Sequence, residues 1–278
     1  MEIIDIIKEA IVFPSKSLDK LAIYIGLKFL ATILLACGIF ACVFSVDSAI
    51  FSIIGLIFIL AALFFAFITM GYSLKIIKSG IDGDELLPAY DWKNDGIAGI
   101  KLFVVDFVYY LIPAILTVVI AFITNVPGTF MKLAQDSMVT AAMMNATSAS
   151  INASTIPAVS QNAVSAFVGS ILITALISMV LFIIFSLVQS MGQARLAKTG
   201  DIGNALNVVE AAKDITRIGI GKVIAIVILV ALVIMVVTGI LTFLANQVSF
   251  LGILSIIVSP YLLFFAQRAF GLLYADIA

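Results

Sequence analysis

Four stretches of this chain, residues 48–74, 107–131, 137–194 and 223–267, contain no Asp, Glu, Lys or Arg. About 20 apolar residues in a helix cross the roughly 30 Å hydrocarbon layer of a bilayer. In lipid every backbone N–H and C=O must be satisfied within the protein, which leaves only helices and closed barrels. Barrel strands alternate apolar and polar residues at every second position, whereas these runs are continuous. The sequence therefore predicts an all-α, polytopic membrane helix bundle. Six spans are placed at 21–46, 48–76, 96–124, 163–190, 219–246 and 250–273, and the last long run is divided at the polar pair Asn246-Gln247.

Composition leads to the same class. Hydrophobic residues are 63% of 278 and charged residues 11%, against about half and about a quarter in a soluble domain. Too few polar side chains remain to cover a water-facing surface. The net charge of −1 lacks the basic surface that nucleic-acid binding rests on, so no nucleic-acid partner is expected. Cys37 and Cys42 lie in one apolar helix and point in different directions, which rules out a disulfide between them. With no histidine and no cysteine cluster, neither a metal nor a haem finds its usual ligands, and no cofactor is expected. Gly219-Ile220-Gly221-Lys222-Val223 lacks the glycine spacing and the hydroxyl residue of a phosphate loop. Nucleophile elbows and metalloprotease motifs are absent too, and the chain is read as a non-enzyme. Its charged opening lacks the basic region of a cleavable leader.

Orientation follows from lysine and arginine. Lys8, Lys16 and Lys20 precede the first span. Lys75, Lys78 and Lys93 lie between spans two and three, and Arg195, Lys198, Lys213 and Arg217 between spans four and five; the opposite side carries Lys132. Both termini are expected in the cytoplasm, in a multi-pass protein of the cell membrane. Residues 1–13 read as an interfacial helix, with Ile3, Ile7 and Ala10 on one face, Glu2, Asp5 and Glu9 on another, and Pro14 ending it. It serves as an elbow into the first span, or as an anchor lying on the leaflet. Residues 125–162 read as an outer loop. In it, Asn145-Ala146-Thr147 and Asn152-Ala153-Ser154 match the glycosylation acceptor pattern, beside the simpler reading of a polar loop.

The spans look like three helical hairpins. Met70-Gly71-Tyr72-Ser73-Leu74 ends the second span and Met191-Gly192-Gln193-Ala194-Arg195 the fourth, while Ala266-Gln267-Arg268 ends the sixth. Aligning Gly80 with Gly200 brings Gly83 onto Gly203, Leu86 onto Leu206, Lys93 onto Lys213 and Gly99 onto Gly219. Triplication would set three equivalent inner ends side by side.

Charge inside lipid is costly and marks function first. Asp106 lies roughly 14 Å into the third span and Lys28 roughly 12 Å into the first, at 1.5 Å per residue. We expect the two to pair across the bundle, with snorkelling as the alternative for Lys28. Lys101, Lys222 and Arg268, near inner span ends, read as contacts to lipid headgroups. The loop bearing Asp82, Asp84, Glu85, Asp91 and Trp92 is the candidate partner surface. Its acids lack the ligand spacing of a calcium loop, and Trp92 suits the half-wet interfacial belt. Gly96, Gly99, Gly219 and Gly221 would let helices approach closely.

Gly71-Tyr72, the run Leu74-Lys75-Ile76-Ile77-Lys78, Asp82-Gly83, Leu87-Pro88, Asp91-Trp92, and Gly99-Ile100-Lys101 leading to Tyr109-Tyr110 and Pro113 together resemble one known group. Ser259-Pro260-Tyr261 and Phe265-Ala266-Gln267-Arg268 fit it as well. It is the archaeal membrane family catalogued as domain of unknown function 4013. Ala89-Tyr90 departs from it, since an acidic residue often follows that proline. The resemblance implies an archaeal cell membrane and brings no established activity or catalytic residue. The expected role is a non-enzymatic membrane scaffold or accessory subunit, in contact with lipids and with a membrane-protein partner or a second copy. The alternative is a transporter or channel using Asp106 and Lys28. A lipid-modifying enzyme with acids at 82–85 comes third.

Overall fold

A computed structural model describes residues 1–44, 49–146 and 160–278, all helices and turns with no strand among them. In chain order they are α1 (Ile3–Val12), a 3-10 turn at Phe13–Ser17, α2 (Leu18–Val43), α3 (Ala49–Asp82), α4 (Trp92–Ile123), α5 (Val126–Ala146), α6 (Gln161–Thr199), α7 (Ile202–Ala205), α8 (Val208–Ile218), α9 (Ile220–Gln247), a 3-10 turn at Ser249–Ile253, and α10 (Leu254–Tyr274). Six helical segments are long and apolar enough to cross a membrane. Their outer faces carry bare apolar side chains such as Phe40, Ile57, Phe64 and Leu232, each more than half exposed. An apolar surface of that extent needs lipid as its solvent. The fold is a multi-pass membrane helix bundle.

Within the described residues the predicted spans fall on long helices, apart from the 3-10 turn at Ser249–Ile253, and α9 ends at Gln247, where Val248 is extended. The C-terminal ends of α3 and α6 overrun the predicted spans. α3 continues to Asp82 and α6 to Thr199, because Ile77, Ser79, Gly80, Leu196 and Ala197 are buried against protein there. Protein packing replaces lipid as the reason to stay helical.

The described chain divides into two compact units, one of residues 1–107 and 187–278 and the other of residues 108–186. In the first, α3 is the hub, and glycines let its neighbours approach to backbone contact. A Cβ at Gly71 would stand 1.8 Å from the Asp95 carbonyl oxygen of α4, and one at Gly99 1.8 Å from that of Phe67. A Cβ at Gly271 of α10 would meet the Ile77 carbonyl oxygen at 2.2 Å. Of the glycines singled out from sequence, Gly99 fills the expected role and Gly96 only grazes Ile68. Gly219 and Gly221 have no atom within 4 Å of an added Cβ. Gly219 instead takes φ 107° between α8 and α9, a backbone conformation that glycine alone adopts readily.

Phe13, Leu21, Tyr24, Tyr72, Ile76, Leu87 and Phe264 form a buried cluster in this unit, with the Tyr24 and Phe264 rings edge to face at 4.8 Å. Ile6 and Ala10 of α1 are fully buried, and α1 packs on α10 and α9. Its buried face therefore rests on protein rather than on the leaflet, while Ile4, Ile11 and Val12 remain exposed. Met1 and Asp276 are in contact, which puts both ends of the described chain on one face.

In the second unit, residues expected to form an outer loop are helical over Val126–Ala146. Pro127, as the second helical residue, sets the backbone for a helix start. Thr129 meets Ser170 of α6 through their hydroxyl oxygens at 2.9 Å, and the Phe130 ring lies tilted against that of Phe167 with centres 5.8 Å apart. A short helix docked on a longer one was hidden by its low apolar content. Both acceptor patterns, those of Asn145 and Asn152, run into residues 147–159 and lie outside the described residues.

Candidate functional site

The polar chemistry of the first unit gathers toward the C-terminal ends of α3, α6 and α10. Lys75, near the end of α3, pairs with Asp95 in the first turn of α4 at 2.5 Å, and the Asp95 side chain is fully buried. Arg195, near the end of α6, pairs with Asp214 of α8 at 2.8 Å, and Asp214 is 1% exposed. The same carboxylate accepts from Arg217 at 2.8 Å and from the Tyr274 hydroxyl at 3.3 Å. Arg268 of α10 pairs with Glu9 of α1 at 2.5 Å, donates to the Ser79 hydroxyl at 3.2 Å, and lays its guanidinium 4.2 Å from the centre of the Phe13 ring. In two of the three the acid lies on a short helix that leads into a long one, Asp214 on α8 and Glu9 on α1, and in the third it lies in the first turn of α4 itself. The first turn of a helix favours an anion, which suits Asp95 at the start of α4.

This arrangement corrects the headgroup reading of Arg268. Arg268 is 1% exposed and enclosed by Glu9, Ser79 and Phe13, so no lipid reaches it. Lys222 donates to Asp276 and to the Met1 carbonyl. Burial lifts the Asp276 carboxyl, but the bond from Lys222 and the terminal ammonium outweigh it and hold Asp276 below its ordinary value. Lys101 donates to the Gly200 carbonyl at 2.7 Å.

The candidate partner loop is clamped at its inner half. Leu87 is buried, and the carbonyls of Leu87, Pro88 and Ala89 accept from Lys20, Tyr72 and Lys75. Tyr90 stacks on Tyr72 with ring centres 4.0 Å apart and donates to the Lys20 carbonyl. Burial, with the neighbouring Tyr72, pushes its phenol far above the ordinary range. Asp91 caps α4: Asn94 donates to it through backbone and side chain, while the Asp95 carboxylate takes the Asp91 N–H. The bonds from Asn94 hold Asp91 below its ordinary 3.8. Asp84, Glu85, Leu86 and Trp92 stay exposed. Among the described residues no three His, Cys, Asp or Glu side chains are grouped to hold a metal ion.

Lys28 and Asp106, expected as a pair, are not brought together as one. Asp106 instead accepts at a single oxygen, Oδ1, from the amides of Gln189 and Gln193, each at 2.8 Å. These two glutamines, four residues apart, share one face of α6. Lys28 makes no ion pair among the described residues; it lines a cleft between α2 and α10 with Thr32, Ser255 and Ser259. The sequence reading missed Gln189 and Gln193, although two amides one turn apart in an uncharged run were a visible signal. It also missed Asp95, Asp214 and Glu9, which look like ordinary surface acids.

Six apolar helices and buried charges matched at their ends define a polytopic α-helical membrane protein. Residues 54–246 match the family described as Protein of unknown function (DUF4013), and the chain belongs to it. Glu9 and Arg268 fall outside the matched region. No curated protein and no solved structure matches the chain.

Proposed function

We propose that this protein is a non-enzymatic membrane scaffold or accessory subunit, built from three repeats whose inner ends are latched in a closed series. One observation carries the reading: the buried charges Asp95, Asp214 and Arg268 are each engaged by ion pairs within the chain. Lys75 ties the first hairpin to the second, Arg195 the second to the third, and Arg268 the third back to the helix that precedes the first. The Lys75–Asp95 and Arg195–Asp214 pairs keep, within one residue, the register that aligns Gly80 with Gly200. Buried pairs of this kind add little net stability but fix which elements meet. The exposed Asp84, Glu85 and Trp92 on a clamped loop form the surface offered to a membrane partner or a second copy, on the cytoplasmic side of a cell membrane. An archaeal membrane is the one the resemblance implies.

A transporter is the second reading, favoured by Asp106, a carboxylate on an apolar helix held by amides rather than by a cation. Reconstitution into liposomes separates the two. A scaffold gives no flux of protons, sodium or potassium above that of empty vesicles, and its native assembly is lost in Glu85→Lys with Trp92→Ala. Flux that disappears in Asp106→Asn would overturn it.

A further inference from the structure

The cleft of about 340 Å³ between α2 and α10 holds a charge that the latches leave unexplained. Its lining combines Lys28, Thr32, Ser255, Ile256, Ser259 and Pro260. Lys28 lies within an apolar span, exposed toward the lipid side, and makes no ion pair among the described residues. An ammonium in that position needs both solvation and a counter-charge. The cleft offers solvation. Thr32 and Ser255 donate their protons to backbone carbonyls, of Lys28 and Gly252, which leaves their hydroxyl oxygens as acceptors. Pro260 has no N–H, so the Ile256 carbonyl one turn earlier lacks its helical donor and is a further acceptor. The described chain supplies no counter-charge.

We infer that this cleft is a binding site for a lipid of net negative charge, its phosphodiester set against the Lys28 ammonium and its first acyl carbons along Phe29 and Ile256. The volume suits a headgroup with the start of a chain. A zwitterionic lipid fits less well, because its own cation would share the cleft with Lys28. The Ser259 hydroxyl is the donor on hand for the phosphate. This site is independent of the scaffold reading: it needs only that α2 and α10 stand in lipid.

The test is native mass spectrometry of the whole protein, delipidated and then titrated with phosphatidylglycerol or phosphatidylcholine of matched chains. Wild type should retain one phosphatidylglycerol with about fivefold preference, the worth of one lysine near a headgroup. Lys28→Gln should erase the preference, Lys28→Arg should keep it, and Lys8→Gln, an exposed lysine outside the cleft, should leave it unchanged. Ser259→Leu fills the cleft without touching the charge and should also erase it, which covers the case where Lys28→Gln fails to fold. Equal preference in wild type and folded Ser259→Leu would overturn the proposal, as would a dimer that Lys28→Gln dissociates, since an acid of a second copy would then be the counter-charge.

Discussion

Arg268 and Glu9 stand 259 positions apart in sequence and 2.5 Å apart in space, and their burial is unequal: the arginine is 1% exposed, the glutamate 31%. Removing either partner therefore has a different cost. Glu9→Leu strands a guanidinium in the interior, and breaking a buried pair that way costs about 3–5 kcal/mol. Arg268→Met leaves a carboxylate that can turn to water, so the expected loss is smaller, about 1–3 kcal/mol. Denaturant unfolding in mixed micelles should rank Glu9→Leu below Arg268→Met, and the reverse order would contradict the burial.

Asp214 makes a second asymmetric case. Asp214→Ala takes from Arg195 and Arg217 the carboxylate they share, leaving Arg195 the Asn204 carbonyl and Arg217 the Glu210 carboxylate, and should cost about 1–3 kcal/mol. Arg217→Gln removes a partner that is 53% exposed, and pairs open to water contribute about 0–1 kcal/mol. The same unfolding assay distinguishes them.

Glycine positions divide by what surrounds them. Gly99→Val drives a side chain into the Phe67 backbone; since overpacking by a few methylenes already costs about 1–3 kcal/mol, and here backbone must move, little folded protein should accumulate by detergent size-exclusion chromatography. Gly221→Ala lies within α9 with open space around it, and should be neutral or stabilising by up to about 1 kcal/mol. Gly219→Ala, at φ 107°, should destabilise by about 1–2 kcal/mol.

Acid should weaken the protein along a defined course. Asp91, Asp276 and Glu210 have depressed folded values, Glu210 through its bond from Lys213. A depressed carboxyl binds protons more weakly folded than unfolded, so the unfolded chain gains protons first as pH falls. Their contribution is fully present above the ordinary values of 4.5 and 3.8 and fades below them. Thermal melts between pH 6 and about 3 should show the decline, and Asp91→Asn with Asp276→Asn should flatten it.

The membrane class, six spans and the break at Asn246-Gln247 were legible because lipid imposes one rule on a whole run of residues. The N-terminal helix was legible from its periodicity, but not its docking, since a buried Ile6 and a lipid-facing Ile4 look alike in sequence. The same ambiguity hid α5. Site chemistry was harder to read. Depth along a span contains no rotation angle, and rotation gave Asp106 to Gln189 and Gln193 rather than to Lys28. Arg268 was misread for a related reason: being near a span end marks a cation as interfacial, and only a neighbouring element, here α1, decides whether protein or lipid covers it.

The docking of α1 on α10 has a consequence for biosynthesis. Glu9 is made 259 residues before Arg268, so the amphipathic segment waits through the synthesis of the intervening helices with Ile6, Ala10 and an uncompensated carboxylate lacking their cover. A chain without α10 displays the very surface by which membrane quality control can tell it from a folded one.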